Sequence, residues 1–188
     1  MELLKKGYGF SDIAKKKPVD PDSTIFRLAS ISKLFTWVSV MQLVEQGKLD
    51  LDADVNNYLD FQITPAFGKP VTLRNLMTHT AGFEEEIRDI LLTDPKKATP
   101  LREFLMENLP RRMFTPGEVP AYSNYGVGLG GYIAQRASGQ LFEDYVADHI
   151  LQPLAMKHSE LPPAPGGKPR AVSFRGLPQQ YGKAGGRF

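Results

Sequence analysis

The amino-acid sequence predicts an α+β chain in which helices dominate and extended structure is confined to the first 29 residues. Two observations support this class. Residues 31–46 carry apolar side chains at helical spacing, and residues 125–138 and 142–151 fit two further helices. Residues 1–29, in contrast, are short mixed runs broken by the turn-forming stretch KKKPVDPDST. The composition, 41% hydrophobic and 23% charged, is that of an ordinary globular domain.

The helix predicted over residues 31–46 has the clearest pattern. Its apolar residues recur at helical spacing at Leu34, Trp37, Val38 and Met41. Gly47 follows directly and is the residue type that commonly ends a helix. We therefore expect one helix of about four turns here, with its stop at Gly47.

Shorter elements are predicted between the main helices. LDLDADVNNYL is typical of a loop leading into a short helix, and TLRNLMTHTAGF of a short helix that ends near His79, with Gly82 in the following turn. Residues 99–109 fit another helix, and FTPGEVPAYSN is a loop rich in Pro and Gly. The SGQ stretch at 138–140 separates the last two helices.

The bulk properties exclude several classes of function. A net charge of +2 gives no indication of a nucleic-acid partner, and no apolar run is long enough to span a membrane. ELLKKGYGF after Met1 lacks the apolar core of a secretory signal. The chain has no cysteine, which excludes disulfides and thiol catalysis and leaves the redox compartment undefined.

The last 28 residues differ in composition from the rest. Residues 161–188 contain five Pro, six Gly and five basic residues, and no Asp or Glu. Such a composition is typical of a segment that folds poorly. We expect a domain over residues 1–160 followed by a tail that is foreign to it, as a reading-frame change would produce; a native linker is the alternative.

The stretch FRLASISKLF places Ser30 three residues before Lys33. Positions i and i+3 share a helix face, so the amine can reach the hydroxyl. One interpretation is a serine that caps a helix and a solvated lysine. The other is a nucleophile activated by an amine, which serves as the base only if burial or a nearby cation lowers its pKa. Apolar Leu28, Ile31 and Leu34 are the expected source of that burial.

Three segments, in this order, resemble the serine β-lactamase and penicillin-binding-protein superfamily. They are PDSTIFRLASISKLFTWVSVMQLVEQGKLDLDADV, VTLRNLMTHTAGF and PGEVPAYSNYGVGLGGYIAQRASGQLFEDYVADHILQPLAMKHS. The first resembles the active-serine segment of class C β-lactamases, family VIII carboxylesterases and D-alanyl-D-alanine peptidases. The third places Tyr122-Ser123-Asn124 at the family's Tyr-x-Asn motif. The resemblance covers roughly residues 7–159.

The resemblance implies a role for each matching residue. Ser30 would be the acylated nucleophile and Lys33 its base. Tyr122 would pass protons, and because a phenol with the ordinary pKa of about 10 is a poor base at neutral pH, it is expected to work with Lys33 as a pair. Asn124 would donate to a substrate carbonyl. The implied substrate is an ester, a β-lactam or a D-Ala peptide amide, and no metal or organic cofactor is implied.

The family fold joins a helical region to an antiparallel sheet, and the sheet carries a third motif, Lys-Thr-Gly or His-x-Gly. Family members are usually considerably longer, so the sequence predicts a truncated member: mainly the helical region with an incomplete sheet. Lys183-Ala184-Gly185 weakly resembles the third motif and makes Lys183 a weak candidate for substrate binding. The alternative to an active hydrolase is an inactive fragment or a partner-dependent module that lacks this motif.

Further motifs have simpler explanations. GVGLGG at 126–131 satisfies G-x-G-x-x-G, but no strand is predicted before it, so close helix packing is the preferred explanation. His79 is given a structural role by the resemblance, and Glu84-Glu85-Glu86 is interpreted as a solvated run. An exposed sheet edge would favour self-association. The family usually works in the periplasm or outside the cell, whereas this chain shows no signal, so localisation stays open.

Overall fold

The computed structural model describes residues 3–26, 28–85 and 99–161. The chain divides into two compact units between Ser30 and Ile31. Except for Leu161, the predicted tail lies outside the described residues, as does Lys183. The boundary predicted at residue 160 and the origin of the tail therefore stay predictions.

The N-terminal unit is built on a short antiparallel hairpin. Strands β1, Phe10–Asp12, and β2, Lys17–Pro18, pair with an irregularity in their register. The Ser11 hydroxyl donates to the Lys17 and Pro18 carbonyls across the hairpin. The expectation of extended structure broken by turns is confirmed. Within the described ranges these are the two strands of the fold, which gives the incomplete antiparallel sheet that the sequence predicts.

The second unit is helical and is organised around one long helix. Its α-helices are α1, Lys33–Glu45; α2, Leu73–Met77; α3, Leu101–Glu107; α4, Asn124–Ser138; and α5, Phe142–Val146. Helix α4 contacts each of the other four, so it forms the centre of the unit. A short 3-10 turn, Val55–Asn57, lies between α1 and α2, where the sequence predicts a short helix.

The helix ends follow the predicted punctuation. Helix α1 ends at Glu45 and the chain turns at Gly47, whose φ of 70° lies in the left-handed region. Gly139, with φ 73°, ends α4 in the same way and produces the predicted break at 138–140. The helix predicted over 142–151 differs in its second half, because α5 continues as a π-helical turn, Ala147–Leu151, instead of an α-helix.

The GVGLGG stretch lies within α4, and the close packing predicted for it is confirmed at Gly130. A Cβ atom added to Gly130 would lie 2.6 Å from the Trp37 ring of α1. The two helices can therefore approach closely only because residue 130 has no side chain. A dinucleotide site requires a strand directly before the motif, and the described residues 119–123 form no strand.

Asp60 ties the loop after the Val55–Asn57 turn to helices α3 and α4. Its carboxylate accepts from Arg102 Nε at 2.8 Å and from the Tyr132 hydroxyl at 2.9 Å, with Arg136 Nη1 at 3.4 Å. The hydrogen bond from Arg102 is the main reason that the pKa of Asp60 is lowered. The cluster fixes α3 against the centre of the unit.

One face of α1 is apolar and exposed. Leu34, Val38 and Met41 follow one another at helical spacing and are 62%, 43% and 38% exposed. The opposite face carries Val40 and Leu43, which are completely buried. The helix is thus apolar on two sides, of which the described structure buries one.

Candidate active site

Backbone pairing between two loops builds the framework of the site. The segment from His79 to Glu84 runs antiparallel to residues 111–121, as in a short irregular sheet. The hydrogen bonds run from Met113 N–H to the Gly82 carbonyl (2.7 Å), from Gly117 N–H to the Thr80 carbonyl (2.8 Å) and from Ala121 N–H to the His79 carbonyl (2.7 Å). This pairing carries Tyr122 to His79 although the two are far apart in sequence.

Gly82 is the residue that allows this pairing. Its φ is 79°, and a Cβ atom at this position would lie 2.0 Å from the Phe114 carbonyl oxygen. Any side chain would therefore meet both backbone strain and a collision with the opposite segment. The sequence predicts Gly82 in a turn, and the structure shows in addition that the opposite backbone occupies the space of its side chain.

His79 holds the segment around Tyr122 by two contacts. Its Nδ1 accepts from the Ser123 N–H at 3.2 Å, and its ring lies against the Tyr122 ring with 4.5 Å between centroids. Burial is the main cause that lowers the pKa of His79, Lys33 lowers it further, and Glu85 opposes both. The lowered pKa favours the neutral imidazole, whose Nδ1 lone pair can accept from Ser123.

The structure brings two of the predicted catalytic residues together. The Lys33 ammonium lies 5.0 Å from the centroid of the Tyr122 ring, a cation–π distance. Lys33 is the first residue of α1, and Tyr122 lies two residues before α4, so the packing of α1 on α4 sets this distance. Lys33 is half-buried, whereas Tyr122 is 45% exposed, which leaves the phenol accessible to a substrate.

Ser30 is the last residue of the N-terminal unit and lies in a 3-10 turn, Ala29–Ser32, that leads directly into α1. Its side chain is exposed. Ala29 before it has a φ of 45°, a conformation that costs an alanine about 1 kcal/mol. The turn therefore presents Ser30 on a strained backbone at the start of the helical segment.

The expected source of burial for the lysine is wrong. Leu28, Ile31 and Leu34 are 47%, 60% and 62% exposed. They cannot supply an apolar environment in the described structure, because each side chain is directed largely into water. The structure does place the Tyr122 ring against the Lys33 ammonium.

Asn124 is the first residue of α4 and donates two hydrogen bonds to the Glu85 carboxylate. Its backbone N–H donates to Glu85 Oε2 at 2.9 Å, and its side-chain amide donates to Glu85 Oε1. Glu85 is exposed, as the interpretation of Glu84-Glu85-Glu86 as a solvated run expects, but it also accepts hydrogen bonds from Asn124; Glu86 lies outside the described residues. Sequence reasoning missed the contact because its partners are 39 residues apart.

Ser123, the residue before α4, caps the N-terminus of this helix in addition to Glu85. The Ser123 hydroxyl accepts from the Gly126 N–H at 3.1 Å, so two of the free N–H groups of the first turn have side-chain acceptors.

In the described part of the chain, no helix is long and apolar enough to cross a membrane. The same residues contain no group of three or more His, Asp or Glu side chains that could hold a metal ion.

Comparison with known proteins identifies the family. The β-lactamase family model matches residues 2–185, so the chain belongs to the β-lactamase family, a family of hydrolases. It is 32% identical over 160 residues to a β-lactamase of Escherichia coli K12, covering 84% of this chain and 40% of that protein.

Solved structures agree with this assignment and establish the β-lactamase/transpeptidase-like α+β fold. The octameric penicillin-binding protein homologue of Pyrococcus abyssi superposes with a TM-score of 0.73 at 30% identity, over 83% of this chain and 37% of that one. A β-lactamase/D-alanine carboxypeptidase of Yersinia pestis gives 0.71 at 27% identity, over 83% and 46%. The chain spans only 32–40% of the length of the curated relatives that it matches.

Proposed function

We propose that this chain carries the acylation centre of a serine hydrolase, with Ser30 as nucleophile and the Lys33–Tyr122 pair as its proton-transfer group. The observation that carries the proposal is the 5.0 Å contact between the Lys33 ammonium and the Tyr122 ring. An amine and a phenol on neighbouring side chains supply the acid and base groups that can pass a proton between serine, leaving group and water. Ser30 lies three residues before Lys33, in an exposed position of the 3-10 turn that leads into α1.

The proposed reaction has two stages. Ser30 Oγ bonds to the substrate carbonyl carbon, its proton passes to the Lys33–Tyr122 pair, and the leaving alcohol or amine takes that proton as its bond to carbon breaks. Water then attacks the acyl carbon, which releases the carboxylic acid and restores the Ser30 hydroxyl. Asn124 is placed beside Tyr122 in sequence and donates its remaining side-chain N–H to a substrate carbonyl.

The substrate class proposed is an ester, a β-lactam or a D-Ala peptide amide. This class is supported by the similar proteins, among which are a β-lactamase and a β-lactamase/D-alanine carboxypeptidase. A third catalytic motif would supply a further donor to the oxyanion. Loss of one such donor costs on the order of 10²–10³ in rate, so a chain without it would be inactive or dependent on a partner.

Hydrolysis assays test the proposal. Wild type and Ser30→Ala would be compared on p-nitrophenyl esters and on a chromogenic cephalosporin, with circular dichroism to verify folding of both. The proposal expects turnover, or a burst of one product molecule per chain, that disappears in Ser30→Ala. Equal product release by the two folded proteins would contradict it.

Self-association belongs to the same proposal. The similar Pyrococcus abyssi protein is octameric, and the exposed face of α1 formed by Leu34, Val38 and Met41 offers an apolar surface. Sedimentation velocity at several concentrations would detect it. Lys substitution at Val38 should shift the distribution toward monomer, and a single monomeric species at all concentrations would contradict self-association.

A further inference from the structure

We propose that Glu85 is a specificity-determining carboxylate, which selects substrates whose acyl side carries a positively charged amine close to the carbonyl that Asn124 binds. The inference rests on the proposed function, because it takes Asn124 as a substrate-binding residue. It concerns a residue that the family motifs in this sequence do not include.

The contacts of Glu85 place its charge at Asn124 and leave the amide able to bind. Both carboxylate oxygens are directed at Asn124, one toward the backbone N–H at 2.9 Å and one toward the side-chain amide. A side-chain amide has two N–H donors, and Glu85 engages one of them. A carbonyl oxygen that accepts from the second donor must therefore lie next to the carboxylate, where a neighbouring donor on the substrate would be favoured and a negative charge disfavoured.

Hydrogen bonds from Asn124 engage both oxygens of the Glu85 carboxylate, and the side chain is exposed. Across the ranges that the structure describes, no salt bridge to this carboxylate is found. Hydrogen bonds from a neutral amide leave the negative charge in place. The carboxylate therefore gives a negative potential at the Asn124 edge of the site, where an ammonium group would be stabilised.

A simpler role has to be separated from this one. Glu85 lies at the N-terminus of α4, where a carboxylate stabilises the helix dipole and caps a free N–H. A residue that only caps the helix would change stability when substituted, and would change the rates of all substrates by the same factor. A specificity residue would change the ratio between substrates of different charge.

Three penicillins provide the matched probes. Ampicillin, benzylpenicillin and carbenicillin share one ring system and one phenylacetyl group, and their α-carbon bears an ammonium, a hydrogen or a carboxylate. At pH 6, where the ampicillin amine is protonated, the wild-type acylation rate constants should fall in that order. In Glu85→Gln the ratio of ampicillin to carbenicillin should decrease by about threefold to tenfold, as expected for one charge at a solvated site.

Glu84→Gln is the matched control, because it removes the same charge one residue away, whereas the hydrogen bonds to Asn124 come from Glu85. Its ratio should equal that of wild type. Melting of all three proteins by circular dichroism would show that each is folded. A ratio that is unchanged in folded Glu85→Gln, or that changes equally in Glu84→Gln, would overturn the proposal.

Reversible binding separates this inference from the catalytic one. Dissociation constants of the three penicillins would be measured on Ser30→Ala with and without Glu85→Gln. If wild type is not acylated but the affinities on Ser30→Ala rank by charge and lose that rank in the double variant, charge selection stands and the acyl-enzyme proposal fails. If acylation occurs without any charge ranking, the acyl-enzyme proposal stands and charge selection fails. If the protein shows no acylation and no charge-ranked binding, both proposals are overturned.

Discussion

The Lys33 ammonium lies over the face of the Tyr122 ring, 5.0 Å from its centroid, although 89 positions of sequence separate the two residues. Lys33 begins α1, and Tyr122 is delivered by the loop that pairs with the segment after His79. The contact therefore depends on helix packing and loop pairing together. It joins two residues that the sequence predicts as partners in catalysis.

Substitutions at Lys33 and Tyr122 should separate charge from proton transfer. Lys33→Arg keeps a cation over the ring but cannot give up its proton, so the acylation rate should fall by about 10²–10⁴. Tyr122→Phe keeps the ring contact and removes the hydroxyl, with a similar loss. Stopped-flow acylation by a fluorescent penicillin measures both. Acylation of Lys33→Arg at the wild-type rate would exclude Lys33 as the base.

Stability should depend on pH through His79. The pKa of His79 is lowered in the folded state, mainly by burial, so below the ordinary value of 6.5 the unfolded chain binds the proton more readily. The contribution of neutral His79 to the free energy of unfolding is therefore complete above about pH 6.5, and it is lost as the pH falls through the pKa of His79 in the folded state. Protonation also removes the Nδ1 acceptor of the Ser123 N–H.

His79→Asn tests this dependence, because its Oδ1 can accept from Ser123 and does not titrate. We expect the wild-type melting temperature to decrease more than that of the variant between pH 7.5 and pH 5. Thermal melts across this range provide the comparison, and parallel pH profiles for the two proteins would contradict the assignment.

Two glycines of α4 should respond in opposite directions to the same substitution. Gly130→Ala places a Cβ atom 2.6 Å from the Trp37 ring and should destabilise the fold by about 1–3 kcal/mol. In Gly128→Ala the nearest atoms, on Leu101 and Leu105, are 3.8 Å away, so the gain in helix propensity should stabilise by up to about 1 kcal/mol. Urea denaturation of both variants measures the difference. Equal effects would show that α1 and α4 do not pack as described.

The Asp60 cluster should matter more than a surface ion pair. Asp60→Asn weakens the contacts with Arg102 and Tyr132 and should cost about 1 kcal/mol of unfolding free energy. Asp52→Asn, which removes the exposed pair with Arg74, should cost less because both side chains are well solvated. Chemical denaturation of the two variants provides the test. A larger loss from Asp52→Asn would contradict this ranking.

The parts of the fold that the sequence predicts correctly are those that depend on local signals. Apolar spacing and single glycines located the ends of α1 and α4, since Gly47 and Gly139 act on their immediate neighbours. The Ser30–Lys33 spacing is likewise local, and the nucleophile that it indicates stays a prediction. Such features need only a few adjacent residues, so they can be identified without the fold.

The features that were missed depend on residues far apart in sequence. No local pattern distinguishes Glu85 from its neighbour Glu84, and its role becomes visible only when Asn124 meets it across 39 residues. The exposure of Leu34 has the same origin, because an apolar stripe indicates a buried face without showing what covers it. The π-helical turn after α5 reflects packing and has no sequence signal that we can identify.

The central claim is that Ser30 is a nucleophile activated within this chain. Intact-mass spectrometry after incubation with a fluorophosphonate, and separately with a penicillin, tests it most directly on wild type and Ser30→Ala, with circular dichroism as a check of folding. The account predicts one adduct per wild-type chain with each reagent and none on Ser30→Ala. A folded wild-type protein without any adduct, or an adduct retained in Ser30→Ala, would contradict it.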